Sequence, residues 1–407
     1  SVQIVVKNYS GNTMQKRTAS YYQTGKLQQL VRHNSSGNAQ YDFTYDTYGN
    51  VSSAMMPQNL NGQRLQFTYQ YDNSVHTYPI RVDNVSLGFF STASYDLKFG
   101  KPTRTVDIND NEMRYQYDYM GRNTVILAPY EIDAGQPYTI RMEYYPKNYG
   151  TLSISGSGGR SYACTYHYDS QHQSDPIRTT VIADGLGRML QTKKDAEING
   201  QEWSLVTGRV KYDCFGRTVE QYHPFKEDTA LFATYNPYYS SETRTATWYD
   251  IMDRQTKLKL PTSDSTVMSY GVESWGGKTL LRTITKDAKG NQIRVLTGTM
   301  GQQIVQIDPY GSETSFEYDC IGQLKKSTDP DGFETRYDYD MVGQLVHRKH
   351  PDAGDDRYKY DSAGNLIYHE NAAGEYLDYR YYYNQLTDVL CSQYPANNVH
   401  YEYGTYN

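Results

Sequence analysis

Residues 337–366 read YDYDMVGQLVHRKHPDAGDDRYKYDSAGNL, and the reading of this stretch decides the fold. A Tyr-Asp pair is followed two positions later by Gly at Tyr339-Asp340-x-x-Gly343, and again 21 residues on at Tyr360-Asp361-x-x-Gly364. Asp at the first position and Gly at the fourth is the preference of a type I turn. The carboxylate accepts backbone N–H groups inside the turn, and Gly takes the left-handed conformation that lets the next strand begin. Such turns close four-residue hairpin loops. The two free positions are tips, where substitution, Met341→Ala for example, is expected to be nearly silent.

The same text stands one period earlier at Tyr318-Asp319-x-x-Gly322, and further back at Tyr45-Asp46-x-x-Gly49, Tyr117-Asp118-x-x-Gly121 and Tyr212-Asp213-x-x-Gly216. Degenerate copies are Asp184 to Gly187, Asp250 to Asp253, Asp287 to Gly290 and Gly298 to Gly301. A second set of turns lies between them: Asp308-Pro-Tyr-Gly311, Asp329-Pro-Asp-Gly332, Asn371-Ala-Ala-Gly374 and the looser His350-Pro-Asp-Ala-Gly354. Turns therefore recur every 10 or 11 residues, which leaves strands of about six residues, the common length. Before each Tyr-Asp the aromatics alternate, as in Phe43/Tyr45, Tyr337/Tyr339 and Tyr358/Tyr360, so each pair points to one face. The expectation is ladders of stacked rings, each cross-strand contact contributing roughly 0.2–1 kcal/mol.

Composition bounds what such a sheet can enclose. Tyr occurs 44 times, yet the hydrophobic class that includes it is only 37%; without Tyr and with Gly the apolar share is roughly a third, against about 45–50% in ordinary domains. Disorder is opposed by 14% aromatic residues, a net charge of -6 and only 14 prolines. A meander of roughly three to four dozen strands cannot stay open, since open sheets rarely exceed about ten strands; it must coil and pair its edges. With so little aliphatic filling, the expected fold is all-β: a hairpin meander coiling into a spiral, hollow, shell-like sheet. One segment spans 1–407, with looser spacing at 73–105, 130–160 and 219–280, where longer hairpins, loops or a short helix are expected.

The function classes narrow accordingly. A pI of 5.9 without basic runs gives no footprint for nucleic acid, and no stretch approaches the roughly 18 apolar residues of a membrane span. Cys164, Cys214, Cys320 and Cys391 form no C-x-x-C pair, which supports neither a zinc site nor a disulfide framework. Asp107-Ile-Asn-Asp-Asn-Glu112 looks like the opening of a calcium loop but lacks its Gly and aligns with an ordinary repeat turn. His347, His350 and Asp352 straddle a strand end and a turn, where odd spacing separates the rings. Gly156 to Arg160 lacks the Lys-Ser/Thr of a phosphate loop. Cys214 and Cys320 share no turn with an activating His, and Asp recurs at every turn for a conformational reason, so no glycosidase pair stands out. No catalytic residue, metal site or cofactor is expected.

The Tyr-Asp-x-x-Gly unit with its 21-residue period resembles the YD repeat of the Rhs family, which includes polymorphic toxins and toxin-complex B and C components. The best-matching copies run Tyr318 to Leu324, Tyr339 to Leu345 and Tyr360 to Leu366, and DGLGRMLQTKK at 184–194 is similar to a segment of the toxin-complex branch. The resemblance implies a secreted or surface-delivered, non-enzymatic shell that encloses its own C-terminal toxin or effector domain, with delivery-system or immunity proteins as further partners. The flanking core and cargo are expected to lie outside this chain, which opens without Met and ends in mid-pattern. Some members cleave themselves at D-P-x-G-L; here Asp308-Pro-Tyr-Gly311 continues Ser-Glu-Thr, so that activity is not carried over. The alternative implied by animal relatives is a cell-surface adhesion or glycan-binding protein.

Overall fold

The computed structural model describes residues 1–7, 13–34, 37–146, 160–236 and 243–404. Among them are 34 strands, one short helix, Pro129–Asp133, and two single 3-10 turns, Thr229–Leu231 and Pro395–Asn397. The chain is all-β and every strand pairing resolved is antiparallel, as the turn spacing requires. It divides into two compact units, Ser1–Glu112 with Val295–Asn407, and Met113–Arg294.

In the first unit the strands from Val2–Lys7 to Lys101–Val106 pair each with the next. Those from Gln303–Ile307 to Val399–His400 form a second meander of the same kind. The second unit breaks this order once. Strands Asn123–Leu127 to Gln201–Thr207 pair in sequence. The chain then leaves to start a new ladder with the hairpin Val210–Tyr212 and Thr218–Tyr222, but Phe225–Glu227 returns to the strand it left, Ser204 facing Glu227 and Val206 facing Phe225. This exception falls where the turn period loosens.

The hairpin turns explain the repeat letter by letter. Asp46 donates its N–H to the Asn50 carbonyl, and the Gly49 N–H returns to the Asp46 carbonyl. The Asp46 Oδ1 collects the N–H groups of Tyr48, Gly49 and Asn50 at 2.7–2.9 Å, and Gly49 sits at φ +102°, where only Gly is at ease. The residue after the positive-φ position supplies a donor to the other oxygen: Asn50 here, Arg122, Arg188 and Arg217 after their own Gly, and Arg254 after Asp253. Past the turn the register slips by one residue, with Tyr45 facing Val51 but Thr44 facing Ser53, a bulge that increases the local twist.

The bulge leaves one carbonyl stranded, and this is why the repeat uses Tyr. The ladder to the next strand begins only at Ser53 and Thr68, so the Val51 carbonyl has no strand partner there; the Tyr71 hydroxyl donates to it at 2.9 Å. The same stitch joins Tyr45 to Leu27, Tyr144 to Asn123, Tyr212 to Met189, Tyr249 to Thr218, Tyr270 to Gln255, Tyr360 to Leu345 and Tyr403 to Leu386. The expected ladders of ring on ring are met in part, as where Tyr22 meets Tyr45 edge-on at 6.1 Å. At five positions the cation that follows the previous turn lies over the ring: Lys26 over Tyr45, Arg122 over Tyr144, Arg188 over Tyr212, Arg217 over Tyr249 and Arg254 over Tyr270, 4.2–5.2 Å from the ring centres. Stacked ring pairs occur elsewhere, as at Tyr78–Tyr95 and Tyr368–Tyr376.

Removing only the hydroxyl isolates the stitch. Tyr249→Phe and Tyr360→Phe are each expected to lower unfolding free energy by about 1 kcal/mol, read from urea midpoints. Tyr310→Phe, at a turn tip that is 95% exposed, is expected to change it by less than about 0.5 kcal/mol.

Candidate functional site

The eighteen repeat residues are placed as turn and strand-end groups. Gly121, Gly216, Gly322, Gly343 and Gly364 take φ between +76° and +102°. Asp118 and Asp213 each collect two turn N–H groups and an Arg; Asp319, Asp340 and Asp361 collect two or three N–H groups. Burial pushes the Asp46, Asp118 and Asp213 carboxyls up, but the donors around them outweigh it and hold them below the usual carboxylate range. Burial likewise pushes the Tyr318, Tyr339 and Tyr360 hydroxyls up. These carboxylates order the turns they open.

Asp72 carries the device furthest. Its two oxygens accept the backbone N–H groups of Ser74, Val75, His76, Thr77 and Tyr78 at 2.6–3.3 Å, so one side chain orders a whole loop within the loosened stretch 73–105. Those N–H groups, Tyr78 foremost, hold the carboxyl far below its ordinary value.

The other candidates resolve individually. The Asp107 Oδ1 accepts the N–H groups of Asn109 and Asn111 while Asn111 Nδ2 donates to Oδ2, and Asp110 at φ +62° stands where Gly is usual: a repeat turn. His347 lies against Asp338 at 3.1 Å and Asp355 at 3.6 Å, whereas the His350 Nδ1 accepts the N–H groups of Asp352 and Ala353, doing for its turn what Asp does elsewhere. The Cys320 thiol donates to the His33 carbonyl at 3.6 Å, and Cys214 is an exposed tip. Gly156 to Gly159 lie outside the described residues; Arg160 sits 4.6 Å over the Tyr235 ring. Among the described residues no group of three His, Cys, Asp or Glu is arranged to hold a metal, and no helix is long and apolar enough to cross a membrane.

What the sequence did not flag is a buried polar node in the second unit, where the meander breaks. Successive cross-strand partners Cys164, Thr180, Lys193, Val206 and Phe225 form one row across five strands, and Thr180, Lys193 and Val206 are fully buried. The covering element is the excursion 228–236, whose Asp228 caps the turn Thr229–Leu231 by accepting from the Ala230 N–H. Lys193 Nζ donates to the Leu231 and Thr234 carbonyls at 2.8 and 2.6 Å and to Glu227 Oε2 at 2.6 Å. All three of its protons are thereby used. Two residues along the same strand face, Gln191 grips the Asn236 backbone at both N–H and carbonyl. Arg209, also buried, donates to that carbonyl and lies over Tyr222 and Phe225; Asn236 Nδ2 closes on Glu227 Oε1. The Lys, Gln and Arg hold the excursion by its backbone, as a clamp.

Beside the node is a cleft of about 450 Å³ lined by Tyr166, Asp169, His172, Arg178, Asp195 and Trp203, among others. Two of its ion pairs are Arg178 with Asp195 and Asp169 with His172; Asp175, Glu197 and Glu202 also line it. The Arg178 guanidinium lies 3.6 Å over Phe232 and the Lys226 ammonium 4.0 Å over Trp203.

Two outcomes are expected. The Asp72 carboxyl has its folded pKa depressed, so its contribution is full above the unfolded value near 3.9 and is lost as pH falls through the folded value. Asp72→Asn is therefore less stable than the parent at pH 7, and the gap between their urea midpoints closes as pH drops below about 4. Lys193→Ala strands a buried carboxylate and is expected to cost about 3–5 kcal/mol, while Lys193→Met with Glu227→Leu costs less, as thermal unfolding of the two variants will compare.

Comparison with known proteins completes the assignment. A family model described as a domain of unknown function (DUF6443) matches residues 160–292, the span of the buried node, and one described as an RHS repeat matches residues 321–355. No curated protein sequence matches. Among solved structures, the Photorhabdus luminescens Tc holotoxin pore matches at TM-score 0.66 and 15% identity, over 97% of this chain and 26% of that one. TcdB2-TccC3 matches at 0.65 and 15%, over 94% and 24%, and TcdB2-TccC3 without its hypervariable C-terminal region at 0.65 and 14%, over 95% and 26%. The chain spans about a quarter of the length of the structures it matches, and at these identities the likeness is one of fold. With its Tyr-Asp turns in phase and an RHS repeat matched at residues 321–355, the chain carries the Rhs, or YD, repeat, and its fold is that of the TcdB2-TccC3 and Tc holotoxin structures.

Proposed function

We propose that this chain is a stretch of wall in the shell of a secreted Rhs-type toxin or effector, without catalytic activity of its own, that keeps a C-terminal cargo domain enclosed until delivery. The observation that carries the reading is surface. The chain exposes 25116 Å², whereas two separate compact bodies of the sizes of its two units would together expose about 19,000 Å². Its buried residues are almost as often polar as apolar, with Lys193, Arg209, Gln191 and Glu227 among them. A sheet wetted on both faces and stitched along its length suits a partition and not a solid domain. One similar structure is of TcdB2-TccC3 without a hypervariable C-terminal region, and an exchangeable C-terminal part is what a container would carry. A glycan-binding surface would need free ring faces, and Tyr45, Tyr144, Tyr212, Tyr249 and Tyr270 have one face under a cation.

The test is protection of the contents. In the protein isolated from its producing cells, limited proteolysis is expected to leave the segment C-terminal to the repeats intact while the wall is folded, and to cut it at least tenfold faster once the wall is opened by urea. Equal cutting rates before and after opening would sink containment.

A further inference from the structure

Successive turns of a meander leave the sheet from alternate edges, so turns two strands apart share an edge. In the second unit one such pair is the turn 168–176, which joins Ser161–His167 to Ile177–Ala183, and the turn between Met189–Ile198 and Gln201–Thr207. They stand two strand spacings, about 10 Å, apart, and the cleft of about 450 Å³ lies against both. Each brings carboxylates to it: Asp169 and Asp175 within the first turn, Glu197 and Glu202 on either side of the second.

The second pair is set by a tight turn. Asn199 and Gly200 both take positive φ, +55° and +73°, as in the two-residue loop of a type I′ hairpin. Ile198 then faces Gln201 and Glu197 faces Glu202, and like charges directly opposite one another destabilise a sheet. The cations that line the cleft are engaged elsewhere. The Arg178 guanidinium meets Asp195 at 3.4 Å and lies over Phe232, the Arg178 N–H also donates to Asp195, and His172 is held by Asp169 at 3.0 Å. Among the described residues, Asp175, Glu197 and Glu202 have no ion-pair partner.

Between the two acidic places the cleft offers a different surface. The exposed Ile177 lines it, with the Tyr166 and Trp203 rings. Trp203 already carries an ammonium, that of Lys226, 4.0 Å over its ring. Ser204, the direct cross-strand partner of Asp195, leaves the sheet on the face that Asp195 and Glu202 share. It is fully buried and its hydroxyl has no hydrogen-bond partner. An ammonium group brings up to three donors, and acceptors are what this cleft has in excess.

We infer that the cleft is a binding site for a linear aliphatic polyamine, with an ammonium group at each acidic place and the methylene chain along Ile177 and the rings. Carboxylates in two separated places select a ligand charged at both ends. Apolar surface between them favours methylenes over a hydrated ion, and no three donors among the described residues are arranged to hold a metal. A cleft lined by one sign of charge also raises the local concentration of such a ligand. The site is independent of what the wall encloses.

Calorimetric titration of spermidine into the protein as its cells produce it tests the assignment. One saturable site is expected, weakened roughly tenfold or more by Glu197→Gln with Glu202→Gln. Asp331→Asn with Asp352→Asn removes the same charge at exposed turn tips of the first unit and is expected to leave the affinity within about twofold. Equal losses in the two double variants, magnesium ion binding as tightly as spermidine, or a trilysine peptide or neutral disaccharide binding more tightly would each overturn the polyamine site. Without ligand, the Glu197→Gln, Glu202→Gln protein is expected to unfold at the same temperature as the parent or higher, because a repulsion is gone. With spermidine, only the parent's midpoint is expected to rise. A variant that unfolds at lower temperature would show that the two glutamates serve the fold instead, and would overturn the inference as well.

Discussion

A hairpin bulge buys twist at the cost of one carbonyl with no strand to pair it, and in this protein the tyrosine hydroxyl of the next Tyr-Asp strand takes that carbonyl. Each such bond contributes on the order of 1 kcal/mol, and eight described tyrosines make it. Set against a typical net stability of about 5–15 kcal/mol, the sum is large. It arises without a thick apolar core, because ring, cation and carboxylate interlock along the edge: Asp orders the turn, Arg neutralises Asp and covers the next ring, and that ring's hydroxyl reaches the carbonyl just past the Arg.

Much of this was legible in the sequence. Asp340 and Gly343 declare a turn because few other residues meet its demands for a local acceptor and a positive φ, and the 21-residue period counts the strands. The partner of the Tyr249 ring was not legible: alternation says which face a ring takes, but only register shows that the neighbour on that face is Arg217, the cation of the preceding turn. The node around Lys193 was hidden for a different reason. MLQTKKDAEI from residue 189 reads as a half-exposed strand, and nothing local announces that residues 228–236 fold back over it. The one signal was negative, the loss of period from 219, and a gap says where order changes without saying to what.

The two units use opposite means to one end. In the first, seams between meanders are made by tips, with short contacts such as Met341 against Gly37 and little burial. In the second, a Lys, a Gln and an Arg are sunk into the sheet to hold an excursion by its main chain, where desolvated charge is tolerated because each proton of Lys193 meets an oxygen. Seams made by tips can be repeated indefinitely; a clamp of this kind fixes one place in the wall.

The alternation of edges also constrains how such a chain can evolve in length. Gaining or losing 21 residues removes or inserts a whole hairpin, and every downstream tyrosine still meets the same carbonyl on the same edge. A change of 10 or 11 residues would exchange the edges of everything that follows. Length is therefore heritable in units of two strands, and duplication within the repeats is a tolerated event where a single-strand indel is a topological one.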